Sequence, residues 1–219
     1  MMKVAITGHS SGIGAEILTV IQLTEPTWEV KCFSKSNGHN IAVNDGADII
    51  QEILDFDPDV LFNNAYYPKI QNKILETLYK EWSDVEKIII NTGSISGYLK
   101  DILLDSDSDY VNDKKGLAEF CIRNSFNFPW ANKTRLHNIS FGFVDTALLT
   151  KTAKPVNVSN LIHAEEAGLL MVDLIEKQDY YVVEQVINCA FDSDVEMLTH
   201  FNIASRNMLK HVARSNRRN

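Results

Sequence analysis

Residues 4–14 constrain this chain most. An apolar run, Val4-Ala5-Ile6-Thr7, meets the turn Gly8-His9-Ser10-Ser11-Gly12-Ile13-Gly14, and a helical pattern follows over Ala15–Ile21. A strand that passes through glycines straight into a helix needs each glycine for a separate reason. Gly8 permits the tight turn, Gly12 lets a ligand approach the backbone, and Gly14 lets the helix pack on the strand. The helix then presents unpaired N–H groups and a partial positive charge, which suit a pyrophosphate. The same glycines would also serve a turn that only reverses the chain. Their place after a first strand and before a helix favours the phosphate cradle.

The rest of the chain keeps the alternation that this unit begins. Strand-like runs stand at Val30–Phe33, Val60–Phe62, Ile88–Asn91, Ile139–Val144 and Tyr180–Ile187, and continuous apolar stretches such as Val60-Leu61-Phe62 suit strands buried on both faces. Helical patterns occupy Ala47–Leu54, Gln71–Trp82, Lys114–Asn124 and Ala164–Glu176, with a last one near Val195–Val212. The expected fold is α/β, a Rossmann-type doubly wound parallel sheet with helices on both faces, forming a single domain over residues 1–219.

Composition removes several function classes. With 45% apolar and 23% charged residues the chain is globular, and no apolar run approaches a membrane span, so no membrane partner is expected. The net charge of −8 argues against nucleic acid as a partner, and the basic cluster Arg214, Arg217 and Arg218 reads as a solvated tail. Cys32, Cys121 and Cys189 are odd in number and widely spaced, which suits reduced thiols rather than disulfides or a zinc site. Met1-Met2-Lys3 leads directly into the first strand and does not read as a signal peptide, so a cytoplasmic location is expected.

The spacing Thr7-Gly8-x-x-x-Gly12-Ile13-Gly14 resembles the classical branch of the short-chain dehydrogenase/reductase family. The epimerase and dehydratase branch has T-G-x-x-G-x-x-G instead, whereas position 11 here is Ser11. Further matches follow in chain order. Asp57-Pro-Asp-Val-Leu-Phe-Asn63-Asn64-Ala65 is similar to the family's D-x-x-V-N-N-A-G, with Tyr66 where the glycine stands. Asn91-Thr92-Gly93-Ser94 places a serine just past a strand, Tyr110-Val-Asn-Asp-Lys114 is Y-x-x-x-K, and Phe141-Gly142-Phe143-Val144-Asp145-Thr146 is similar to P-G-F-V-D-T, with Phe141 where the proline stands. Residues four apart share a helix face, so an ammonium there can stabilise a phenolate. With seven tyrosines in the chain, Y-x-x-x-K alone also has a chance reading.

The resemblance implies an enzyme that transfers hydride between a nicotinamide cofactor and a small-molecule carbonyl or alcohol. Ser94 would hold the carbonyl oxygen, with Ser96 the alternative; Tyr110 would exchange the proton, and Lys114 would bind the ribose and steady the phenol. Asn72 is a fourth catalytic candidate, or else a helix cap. Gly8, Ser10, Ser11, Gly12, Ile13 and Gly14 would hold the pyrophosphate, Asn64 and Ala65 the adenosine side, and Val144 and Thr146 the carboxamide, alongside Tyr110 and Lys114. The second strand ends in Ser34-Lys35-Ser36 without a carboxylate, which favours NADP, with NAD the other possibility; Lys35 as a plain surface lysine is the competing reading. A short segment over Ala147–Ser159 would form the substrate lid, and Tyr66, Tyr67 and Tyr98 either line the pocket or pack in ordinary ways. A homodimer or homotetramer through the helices at Gln71–Trp82 and Lys114–Asn124 is expected. The alternative from another class is a non-catalytic dinucleotide sensor or scaffold on the same fold.

Overall fold

A computed structural model describes residues 1–98, 108–128, 130–147, 149, 161–176 and 184–187. Expectations that fall on residues 195–212 and 214–218, on Cys189, and on most of the lid segment lie outside these.

The chain begins β1 (Lys3–Thr7), α1 (Gly12–Thr24), β2 (Glu29–Phe33), α2 (Ala47–Phe56), β3 (Val60–Asn63), α3 (Ile70–Glu81) and β4 (Ile88–Ser94). It continues α4 (Asp109–Ser125), β5 (Arg135–Phe141), β6 (Val144–Asp145), β7 (Ile162–His163), α5 (Ala164–Glu176) and β8 (Glu184–Ile187). Six strands form one sheet in the order β2-β1-β3-β4-β5-β8, every pair parallel. The short strands β6 and β7 pair with each other apart from it.

Alternation along each strand divides the core into two layers. Val4, Ile6, Val60, Phe62, Ile88 and Ile90 face α1 and α5, packing on Ile17, Ile21 and Met171. Ala5, Leu61 and Ile89 face the other way, onto Ile53 of α2, Leu75 and Leu78 of α3, and Leu117 of α4. Both faces are buried, which is why these strands are continuous apolar runs rather than alternating ones.

Two boundaries differ from the sequence reading for local reasons. Helix α4 starts at Asp109, because Ser108 is its N-cap and accepts a hydrogen bond from the Val111 N–H at 3.3 Å. Tyr110 therefore lies inside the helix with Lys114. The run expected over Ile139–Val144 is divided: β5 ends at Phe141, the Gly142 N–H donates to Ile187 O at 2.7 Å, and Val144 moves to the small β6–β7 pair.

The chain runs from β1 out to β2 and returns to place β3 on the other side of β1. The carboxyl ends of β1 and β3 thus flank the point where the strand order reverses, the usual location of a ligand crevice in such sheets.

Candidate active site

The crevice is open at this point. A cleft of about 450 Å³ runs from Phe33, Ser34, Lys35, His39 and Ile41 at one end, past the glycine turn, to Ser94, Tyr110, Lys114 and Thr146 at the other. Most of the residues singled out from sequence line it: Gly8, Ser10, Ser11, Gly12, Ile13, Asn64, Ala65 and Val144 among them.

The glycine turn has the geometry of a phosphate cradle. Gly8 and Gly12 have φ of 74° and 57°, which L side chains rarely adopt. A Cβ on Gly14 would lie 2.2 Å from Gly8 O, so the closeness of helix to strand requires glycine there. Gly14 thus acts from behind the cleft. At the mouth of α1, Ser11 is the N-cap but makes no side-chain cap bond, and the first turn carries no acidic residue. The Ser11 side chain therefore leaves the first-turn amides of α1 uncapped.

Hydrogen bonds tie this turn to the far end of the cleft. Thr7 Oγ1 accepts from the N–H groups of Asn64 and Ala65 at 2.9 and 3.0 Å. Asn64 Nδ2 donates to Thr7 O and Gly8 O at 3.2 and 3.3 Å, and Asn64 Oδ1 accepts from Thr92 Oγ1 at 2.9 Å. Thr92 precedes Ser94 on β4, so Asn64 fixes the glycine turn against the strand that carries the serine.

At the far end of the cleft, Ser94 terminates β4 and Ser96 lies in the 3-10 turn that follows, their hydroxyls 2.9 Å apart. The Tyr110 hydroxyl hydrogen-bonds to both serines. The structure thus brings Ser96 into the cluster beside Ser94. Burial pushes the Tyr110 phenol above its ordinary range, and the two serines pull it back in part. The phenol is therefore a proton carrier in the free protein.

Lys114 stands one helical turn further along α4. Its Nζ donates to Gln71 Oε1 and to Thr92 O, each at 2.7 Å, and lies 5.7 Å from the Tyr110 ring centre and 5.4 Å from that of Tyr66. Burial brings the ammonium down to about 7, with the nearby Asp113 acting against it. Asn72 follows Gln71 on α3 and reaches α4 rather than its own helix end: Nδ2 donates to Asp113 O at 3.0 Å. Its buried Oδ1 has no partner among the described residues. The residue in contact with Lys114 is Gln71, which the sequence pattern did not single out. Its only signal was being adjacent to Asn72.

Two tyrosines of the three considered belong here. Tyr66 and Tyr67 line the cleft, whereas Tyr98 packs elsewhere, hydrogen-bonded to Glu184 and Ser140. The adenosine-side end has its own fixed geometry. Asn37 Oδ1 accepts from the Ser34 N–H at 2.9 Å, and the Ser34 and Ser36 hydroxyls are 2.7 Å apart. No carboxylate is among the described residues lining the cleft. No group of His, Cys, Asp and Glu among the described residues is arranged to hold a metal ion, and no described helix is long and apolar enough to cross a membrane. Cys32 and Cys121 are free thiols.

No protein-family model and no curated protein matches this sequence. Solved structures do match the fold. One is a 3-alpha-hydroxysteroid dehydrogenase from Pseudomonas sp. B-0831 complexed with NADH, at TM-score 0.68 and 16% identity over 85% of this chain and 95% of that one. A second is a short-chain dehydrogenase/reductase of the glucose/ribitol dehydrogenase type from Brucella melitensis, at TM-score 0.63 and 15% identity over 85% and 95%. A third is a small-chain dehydrogenase in complex with NADPH, at TM-score 0.62 and 14% identity over 90% and 99%. These matches span most of each chain, and the chain has the short-chain dehydrogenase/reductase fold.

Proposed function

We propose that this protein is an oxidoreductase that uses NADP(H) to interconvert a carbonyl and an alcohol on a small molecule. The observation that carries this reading is the convergence of Ser94, Tyr110 and Lys114 at one end of a cleft whose other wall is the glycine turn. The residues present fit a dinucleotide: at Gly14 there is no room for a side chain, and Ser11, Gly12 and Ile13 at the start of α1 line the cleft. Solved structures of the same fold hold NADH or NADPH, which supports a nicotinamide without choosing between the two.

A bound nicotinamide supplies or accepts hydride at its ring. Gly8, Ser10, Ser11, Gly12, Ile13 and Gly14 would hold the pyrophosphate, Asn64 and Ala65 the adenosine side, and Val144 and Thr146 the carboxamide. The protein's own chemistry is a proton path. Ser94 donates a hydrogen bond to the substrate carbonyl oxygen, and Tyr110, hydrogen-bonded to Ser94 and Ser96, delivers its proton to that oxygen as negative charge develops. The phenol's upward shift keeps it protonated until then. Lys114 directs a donor at the ribose and stabilises the phenolate left behind. The Oδ1 of Asn72, buried and unpartnered among the described residues while Nδ2 donates to Asp113 O, supports a place for it in reprotonation.

For the cofactor's 2′ position, Ser34 and Lys35 at the end of β2, with no carboxylate lining the cleft, support NADP over NAD. A dimer or tetramer belongs to the same proposal. Helix α4 leaves Ile122 exposed, and Phe126 at its C-terminus is also at the surface. Sedimentation equilibrium of the protein would decide this, a monomer at micromolar concentration ending it.

The central test is NADPH consumption against a panel of aldehydes, ketones and quinones, with Tyr110→Phe as the control. The variant is expected to bind NADPH as tightly as the wild type and to lose turnover by about a thousandfold, the order associated with a general acid. Equal turnover would overturn the assignment. Tight NADPH binding without turnover on any carbonyl would favour the non-catalytic sensor instead.

A further inference from the structure

We infer that Gln71 is a positioning residue for Lys114, holding the lysine's Nζ so that one N–H faces the cleft. The inference deepens the oxidoreductase reading and rests on it for what the lysine meets there.

The orientation of the Gln71 carboxamide is fixed by its surroundings. Gln71 lies in the first turn of α3 and is 1% exposed. Its Nε2 donates to two carbonyl oxygens, Asn63 O at 2.7 Å and Thr92 O at 3.2 Å. Neither oxygen can donate, so the amide cannot turn over without placing its own oxygen against two acceptors. Oε1 must therefore face Lys114, which it meets at 2.7 Å. The backbone is held in the same way: Gln71 O accepts from Asn63 Nδ2 at 3.0 Å, and that amide also donates to Asn91 Oδ1 at 2.9 Å.

Lys114 is 4% exposed, and an ammonium buried that deeply needs acceptors. Gln71 Oε1 and Thr92 O supply two, and the third N–H has no hydrogen-bond acceptor among the described residues. The rings of Tyr66 and Tyr110 flank the Nζ, and Asp113 is the one charged group acting on it. A neutral amide at Gln71 thus satisfies one N–H without fixing the lysine's charge. A carboxylate in its place would lock the lysine as a salt bridge and draw it away from the cleft. Asn72 does not share this role: its Nδ2 donates to Asp113 O, and its Oδ1 accepts no hydrogen bond from Lys114 or any other described residue.

Titrating Lys114 in the full-length protein by 13Cε–15Nζ correlation NMR, assigned with Lys114→Arg, tests this without any cofactor. Gln71→Met should move the lysine's midpoint down by about one unit, and Gln71→Glu should move it up by one or more, as expected for loss of an acceptor and gain of an opposite charge. Opposed shifts are not produced by a general loosening of the fold, and a melting curve on each variant reports its folding. Either folded variant decides. A Lys114 midpoint equal to the wild type's would overturn the inference. In parallel, NADPH and NADH affinity is read by nicotinamide fluorescence, where Gln71→Met is expected to weaken binding by about tenfold, in the range of one charge-assisted hydrogen bond. A wild-type protein that binds neither nucleotide would end the oxidoreductase reading, while the Lys114 midpoints still decide the role of Gln71.

Discussion

The ring of Tyr66 stands edge-on to that of Tyr110, with centroids 4.9 Å apart and planes at 83°. Tyr66 sits where the resembled family carries a glycine, so this chain puts a second aromatic ring against Tyr110, the proposed proton donor. The Tyr66 hydroxyl also donates to Asp113 Oδ2 at 3.1 Å, and Asp113 accepts from the Lys69 N–H at 2.8 Å as well. Burial and the adjacent Asp113 push the Tyr66 phenol far above its ordinary range, so it carries no charge at any working pH. Tyr66 is a wall of the site, and its hydroxyl is an anchor.

Two substitutions separate those roles. Tyr66→Phe keeps the ring and loses one hydrogen bond, so it should cost about 1 kcal/mol in stability and leave kcat within about threefold. Tyr66→Ala removes the wall, and KM for bulky carbonyls should change by about tenfold while kcat falls less, as expected when contacts not specific to the transition state are lost. Urea unfolding and steady-state kinetics check both. A Tyr66→Phe variant as impaired as Tyr66→Ala would show that the hydroxyl, not the ring, matters.

Lys35 offers a direct handle on cofactor choice. It follows Ser34 at the end of β2 and lines the cleft next to His39. If its ammonium meets a 2′-phosphate, Lys35→Glu should weaken NADPH binding by at least about tenfold and NADH binding by less than about threefold, since only one ligand carries the charge. Calorimetry on both nucleotides measures the ratio. Equal weakening of the two would return Lys35 to the status of a surface lysine.

These positions also show what could be read from sequence. The glycine turn was legible because positive φ at Gly8 and Gly12 favours glycine and the Gly14 contact leaves no room for a Cβ, so the geometry leaves a local mark. Tyr110 and Lys114 were legible because one helix carries both. The start of α4 was missed although Ser108 stood in view, a cap three residues ahead of Val111. Gln71 was not legible, because its partner Lys114 lies 43 positions away and only the packing of α3 on α4 brings them together. The same holds for Asn138 on β5, which donates to Glu184 Oε2 on β8 at 2.7 Å across the sheet.

The buried lysine gives a signed pH dependence. Its ordinary value of 10.5 applies to the unfolded chain, and the folded protein lowers it to about 7. Between those values the unfolded chain binds more protons than the folded one, so raising the pH through this window stabilises the fold. Below about 7 both states hold the proton, and the full cost of burying the charge remains. Burial raises the Cys121 thiol and the Tyr110 phenol, which act in the opposite direction once the pH passes their ordinary values. The melting temperature of the wild type minus that of Lys114→Met should therefore rise from about pH 7 and flatten only near 10.5, because both proteins carry Cys121 and Tyr110 and those two effects cancel in the difference. Parallel curves for the two proteins would mean that Lys114 is already neutral, or solvated, in the fold.

Two glycines with similar crowding and different neighbours allow stability to be separated from catalysis. At Gly168 on α5 a Cβ would lie 2.8 Å from Glu16 Cβ and 2.9 Å from Glu16 C on α1, far from the reacting end of the cleft. At Gly97 a Cβ would lie 2.7 Å from Lys115 N and 2.9 Å from Lys114 C, so the turn after β4 and the middle of α4 would have to part. Each alanine should cost about 1–3 kcal/mol, the usual range for overpacking against backbone. The catalytic effects should diverge. Gly168→Ala is expected to keep kcat within about twofold at temperatures where it is folded, because α1 and α5 pack on the far face of the sheet from Lys114. Gly97→Ala moves Lys114 relative to Ser94, and a displacement of about 1 Å in a reacting geometry costs on the order of a hundredfold in rate. Both variants are compared at equal folded fraction, set by their own melting curves. If kcat falls equally in the two, the loss follows global stability and the close approach at Gly97 has no special part in holding the site together.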